Sequence, residues 1–130
     1  MPHIVLRGDL SLRAALESFR PVVEREGDEV RKLERCYLDS GGRTLLLEAL
    51  VVSGRQRQRF LIQVSSRAEG GVTLRLDPLT DPEKTDAVKR SLAAAARWLR
   101  GLFPALVVEK TNIAPFLPGA GGARDPDGGA

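Results

Sequence analysis

Between Glu29 and Asp77 the chain is cut by three glycine-bearing turns, "DSGGR", "SGRQ" and "AEGG", into short runs rich in Leu, Val and Ile. Runs of that length, separated by residues that tolerate tight turns, permit little except strands joined by hairpins. "TLLLEALVVS" is apolar at both parities, as a strand buried on two sides is. "RFLIQVSSR" alternates, with Phe60, Ile62 and Val64 on one face and Arg59, Leu61, Gln63 and Ser65 on the other. "VTLRLD" alternates too, with Val72, Leu74 and Leu76 inward. A run from about Glu29 to Asp39, after a turn at Gly27 and Asp28, precedes them. The pattern predicts a four-strand antiparallel meander.

The flanks read differently. "HIVLR" alternates weakly and suits a first strand, His3 to Arg7. Leu12, Leu16, Phe19 and Val23 recur at helical spacing, with Asp9 or Ser11 as the cap. Pro21 removes a helical N–H and disfavours helical angles at Arg20, so a helix over about 10–20 is expected to end or kink there. "TDPEKTDAVKRSLAAAARWLRGLF" predicts a long helix with Thr80 or Asp81 as N-cap and Pro82 in its first turn. Val88, Leu92, Ala95, Leu99 and Leu102 form its apolar stripe, Leu92 and Leu99 facing the core. Gly101 and Pro104 mark its end. "ALVVEKTNIAPFL" is a short last strand or an extended arm.

The expected fold is therefore α+β, a two-layer domain. An antiparallel meander of about four to five strands carries a short N-terminal helix and a long C-terminal helix on one face. A single domain spans 1–117. The Gly/Ala/Pro-rich stretch 118–130 has nothing to bury and is expected to be a disordered, dispensable tail. In element order the chain resembles an abbreviated helix-grip domain of the START-like kind. That resemblance implies a small-ligand cavity between the sheet and the long helix.

Few chemistries have candidate residues. Cys36 is the only cysteine, so an internal disulfide is excluded and a cytoplasmic location is the expectation. It reads as a core residue. His3 is the only histidine, which leaves no pattern for a metal site or a His-based catalytic pair. Glycine-rich "RAEGGV" and "PGAGG" lack the strand-to-helix context of a phosphate loop. The reading names no catalytic residue, no metal and no cofactor, and an enzyme is not the first choice. "VEKTNI" suits a pocket mouth or a plain surface loop. No run is long enough for a membrane helix, the N-terminus lacks the pattern of a signal peptide, and no membrane partner is expected. Sixteen arginines against four lysines fits the bias of a GC-rich genome, as in many bacteria, as easily as a need for guanidinium groups.

Two surfaces remain. The formal net charge is +3, and residues 43–75 hold six arginines against only Glu48 and Glu69. Arg55, Arg57, Arg59, Arg67 and Arg75 are the candidates for nucleic-acid binding through phosphates, with Arg31 and Arg35 beside them. Selective readers of single strands also need aromatic platforms, and none lies between the arginines. A solvated strand end is the plainer reading. The second candidate is the helix-free sheet face, to which the same alternation assigns Leu33, Tyr37, Leu45, Leu47, Val51 and Leu61. So much apolar area suits a homodimer or another protein partner, unless residues 105–117 fold over it. The first expectation is a small non-enzymatic accessory protein that binds through this face. A nucleic-acid module and a helix-grip-like ligand-binding domain are the alternatives.

Overall fold

A computed structural model describes residues 1–117; the predicted tail, 118–130, lies outside the described residues. The elements run β1 (His3–Arg7), α1 (Leu12–Ser18), β2 (Val22–Glu26), β3 (Glu29–Leu38), β4 (Thr44–Ser53), β5 (Gln56–Ser66), β6 (Val72–Leu76), α2 (Asp86–Leu102) and β7 (Val107–Thr111), then a 3₁₀ turn at Ala114–Phe116. All seven strands join one antiparallel sheet in the order β2-β3-β4-β5-β6-β1-β7. The sheet curls into a half-barrel and α1 and α2 pack on its concave side.

This architecture corrects the expected fold. The sheet has seven strands, not four to five, and the domain is a curled half-barrel, not a two-layer α+β plate closed by a C-terminal helix. The additional strands come from both flanks. β2 pairs with the first half of β3, and β1 is inserted between β6 and β7. The chain continues past α2 because Leu6 and Arg7 of β1 offer an open edge, which Val108 and Val107 fill.

The helix end expected near Pro21 holds, while the place of Val23 and the start of the long helix differ for physical reasons. Val23 does not extend the helical stripe of Leu12, Leu16 and Phe19. The helix ends at Ser18, before Pro21, and Val23 lies in β2 at 52% exposure. α2 begins at Asp86 with Thr85 as N-cap, five residues later than Thr80. β6 is shorter than β5 and leaves the β5 edge bare from Gln58 to Leu61. Residues 77–85 close it. Leu61 N–H donates to Thr80 Oγ1 at 3.1 Å, Asp77 N–H donates to the Leu61 carbonyl at 2.9 Å, and Glu83 N–H donates to Gln58 Oε1 at 2.7 Å. An unpaired edge is costly, so Thr80 serves the strand and not the helix.

The core fills the concavity. Ile4, Leu6, Leu45, Leu47, Phe60, Ile62, Val64 and Leu74 meet Val88, Leu92, Ala95 and Leu99 of α2. Ala93 to Ala96 are all buried, and their small side chains let the helix axis lie close to the strands. Among the described residues no helix is long and apolar enough to cross a membrane.

Candidate docking face of the sheet

Register decides which side chains reach the convex face. The β4–β5 hairpin pairs Ser53 with Gln56, so only Gly54 and Arg55 form the turn, with Gly54 at φ 60°. A two-residue connection of this type pins the ladder. It sets Leu45 opposite Val64, Leu47 opposite Ile62 and Ala49 opposite Phe60. These pairs point at α2. The alternate pairs, Leu46 with Gln63, Glu48 with Leu61, Leu50 with Arg59 and Val52 with Arg57, point away from it.

A β-bulge between Leu33 and Arg35 sets the β3 faces. Before it, Arg31 and Leu33 point at the helices. After it, Arg35 pairs with Glu48 and Tyr37 with Leu46, on the convex side. One extra residue exchanges the faces of everything that follows.

The predicted six-residue apolar face is therefore divided. Leu33, Leu45, Leu47 and Val51 lie in the core at 3% exposure or less. Only Tyr37, 46% exposed, and the half-buried Leu61 are on the convex face. Its apolar floor is instead Val30, Leu46, Leu50, Val52 and Leu61. Lys32 and Arg59 flank Leu50 in register on either side, and their aliphatic stems suit its burial.

The arginines divide too. Arg57 and Arg59 are exposed on the convex face, and Arg55 is exposed in the turn. Arg75 is on the same face opposite Gln63, whose Oε1 accepts its Nε–H at 2.7 Å. Arg67 is apart. It lies eight residues beyond Arg59, roughly 26 Å along a strand, and its guanidinium contacts Glu69 and Glu109 at 3.4 and 3.7 Å. Arg31 is on the opposite face altogether, with an 8% exposed residue surface. It bonds Glu24, Glu26 and Glu29, while Arg90 and Arg97 of α2 bond Glu29 and Glu24 at 2.8 Å. That network ties the β2–β3 hairpin to the long helix.

The sequence reading passed over Arg25 and Lys32. Arg25 pairs with Val30 and Lys32 with Leu50, which places both on the convex face. Hairpin length carried the signal: Glu26 pairs with Glu29 around a two-residue turn. The face then holds Arg25, Lys32, Arg35, Arg57, Arg59 and Arg75 with the carboxylates of Glu34, Glu48 and Asp77, the last accepting from Gln63 Nε2 at 3.3 Å. Arg59 donates to Glu34 at 2.6 Å and to Glu48 at 3.4 Å, Tyr37 OH donates to Glu48 at 3.1 Å, and Arg35 approaches Glu48 at 3.9 Å. Beside this cluster runs a groove of about 450 Å³, lined by Pro21, Val23, Lys32, Glu34, Arg35 and Arg59 among others.

The chemistry on offer is ion pairing, hydrogen bonding and apolar contact. Cys36 pairs with Leu47 on the helix side, and burial pushes its thiol up to about 11, far from a reactive thiolate at neutral pH. The region where a helix-grip domain would hold its ligand is filled by Phe60, Ile62, Leu92 and Leu99, each at most 1% exposed. "VEKTNI" fastens termini together. Thr111 Oγ1 donates to the His3 carbonyl at 2.7 Å, and Asn112 accepts from His3 N–H and donates to the Met1 carbonyl. Comparison with protein-family models, with curated proteins and with solved structures gives no match for this chain.

Proposed function

We propose that the protein is a non-enzymatic binding module that docks a protein partner on the convex, helix-free face of its sheet. The observation that carries this is the composition of that face. It combines apolar Val30, Leu46, Leu50, Val52 and Leu61, an exposed Tyr37, a 52% exposed Val23 and basic groups that outnumber the carboxylates. Tyrosine and arginine over an apolar floor are the residue types that anchor protein interfaces. Pairing of two copies through this face is the weaker form of the reading. A two-fold contact would set the same basic rows against each other.

The test is a charge reversal on the face. Arg35→Glu with Arg59→Glu should stay folded, because both side chains are at least half exposed, with a lowered melting temperature from the carboxylates it gathers beside Glu34 and Glu48. A partner recovered from extracts by the wild type should be missing with the double variant. Recovery of the same partner by both folded proteins removes this face from the function.

Nucleic-acid binding is the second reading. Arg55 and Arg57 favour it, since among the described residues neither makes an ion pair. Labelled RNA and DNA at ~150 mM salt should bind the wild type and an Arg55, Arg57 and Arg59→Gln variant equally weakly if protein docking is the function. Tight binding lost in the variant would put nucleic acid first.

A further inference from the structure

β3 has ten residues but β2 has five. β2 pairs with Glu29 to Leu33 and stops, because the chain before Val22 turns through Pro21 toward α1. From Glu34 to Leu38, β3 has β4 on one side and, among the described residues, no strand on the other. Among the described residues, no turn or loop backbone hydrogen bond involves these five. The groove lined by Pro21, Val23, Lys32, Glu34, Arg35 and Arg59 opens where β2 gives out. It leads onto the unpaired edge.

An open edge beside a groove is a receptor for one more strand. Whether it accepts a given segment depends on the side chains above it. Arg35 is 70% exposed in its side chain and lies beside Tyr37 and Glu48, and Arg59 is 50% exposed and bonds Glu34 and Glu48. Lys32 and Arg25 continue the positive row along β3 and β2. The same charges oppose pairing with a second copy of this edge, the usual protection of an exposed strand. They favour a segment of opposite sign.

We propose that the outer edge of β3 from Glu34 to Leu38 takes an extended acidic peptide segment of another protein as an added strand, its carboxylates paired with Lys32, Arg35 and Arg59. This names the partner chemistry for the convex face and rests on the docking reading above. The added strand would satisfy outward-facing backbone groups of β3. Its alternate side chains would reach Tyr37 and Val23 on the convex side. Carboxylates of the incoming segment would compete with Glu34 and Glu48 for the guanidinium groups. No bond is made or broken in the process.

The test uses the full chain as bait for a displayed library of random twelve-residue peptides at ~150 mM salt, near-physiological screening that suppresses loose surface attraction. Selected peptides should be rich in Asp and Glu alternating with apolar residues. Bound peptide should slow hydrogen exchange of amides between Glu34 and Leu38. Binding should weaken by about tenfold or more in Arg35→Glu/Arg59→Glu, while circular dichroism shows the variant folded. Peptides that protect Glu34 to Leu38 but carry no acidic residues overturn the acidic assignment and leave docking on this sheet standing. Protection confined to other surfaces, a failure to select any peptide, or displacement of the peptides by oligothymidylate at equal concentration overturns both.

Discussion

Single positions in this protein are set by close approach and by burial of charge. Gly71 is buried at φ 79°, and a Cβ added there would lie 2.0 Å from the Leu6 carbonyl oxygen. Gly71→Ala combines a left-handed backbone with a backbone clash where β6 meets β1. It should cost about 4 kcal/mol or more in a urea titration, and a loss within the range of surface changes would show that the two strands separate easily. Arg31 presents the converse case. It is a buried cation with three carboxylates around it, and removing it leaves the buried Glu29 with Arg90 alone and Glu24 with Arg97 alone. Arg31→Ala should destabilise by about 3–5 kcal/mol. Cys36 should react with a thiol reagent at pH 8 far more slowly in the folded chain than in the unfolded one, because burial holds its thiol at about 11 and leaves little thiolate. Rapid modification of the folded chain would contradict its packing on the core.

Elements are shaped by what their neighbours leave unsatisfied. α2 presents Val88, Leu92, Ala95 and Leu99 to the concave sheet, and all four are fully buried. Leu99→Ala should cost about 2–5 kcal/mol, the range for deleting a packed leucine, and a much smaller loss would place the stripe outside the core. The segment before α2 closes the β5 edge through Thr80 Oγ1, which accepts from Leu61 N–H and donates to the Asp77 carbonyl. The bulge in β3 does the reverse of closing an edge. It turns Arg35 and Tyr37 outward just past the last residue that β2 covers.

At the scale of the whole molecule, charge is sorted by face. Glu24, Glu26 and Glu29 gather on the helix side around Arg31, Arg90 and Arg97, while basic side chains outnumber acidic ones on the convex face. The acidic cluster gives the fold its acid sensitivity. Burial alone would raise Glu24, but hydrogen bonds and charge from Arg97 and Arg31 outweigh it and hold the carboxyl below its ordinary value. A carboxyl lowered in the folded state binds its proton later than the unfolded chain does. Its stabilising contribution is therefore complete above the ordinary carboxylate range and is lost as the pH falls through the lower folded value. Glu24→Gln should flatten the fall in melting temperature over that acidic window. An unchanged slope would show that the Arg97 and Arg31 contacts do not persist in solution.

The sequence by itself determined local matters. Glycine turns and alternation identified the strands from Glu29 to Leu76, and helical spacing found Leu92 and Leu99, because each signal is written within one element. The hairpin turns also held the β4–β5 register, which pairs Leu45 and Leu47 with Val64 and Ile62 on the helix side and overturns the assignment of both to the helix-free face. What only tertiary structure decided depends on residues far apart in the chain. β1 lies between β6 and β7 because two open edges meet there, and no local pattern records that meeting. The bulge at Glu34 separates Leu33 from Tyr37 although both occupy odd positions of one strand. Arg31 reads like Arg35 in the sequence, yet it is buried because α2 and the β2 carboxylates surround it. Alternation fixes that two side chains differ in face; which face is covered is fixed by the packing of distant elements.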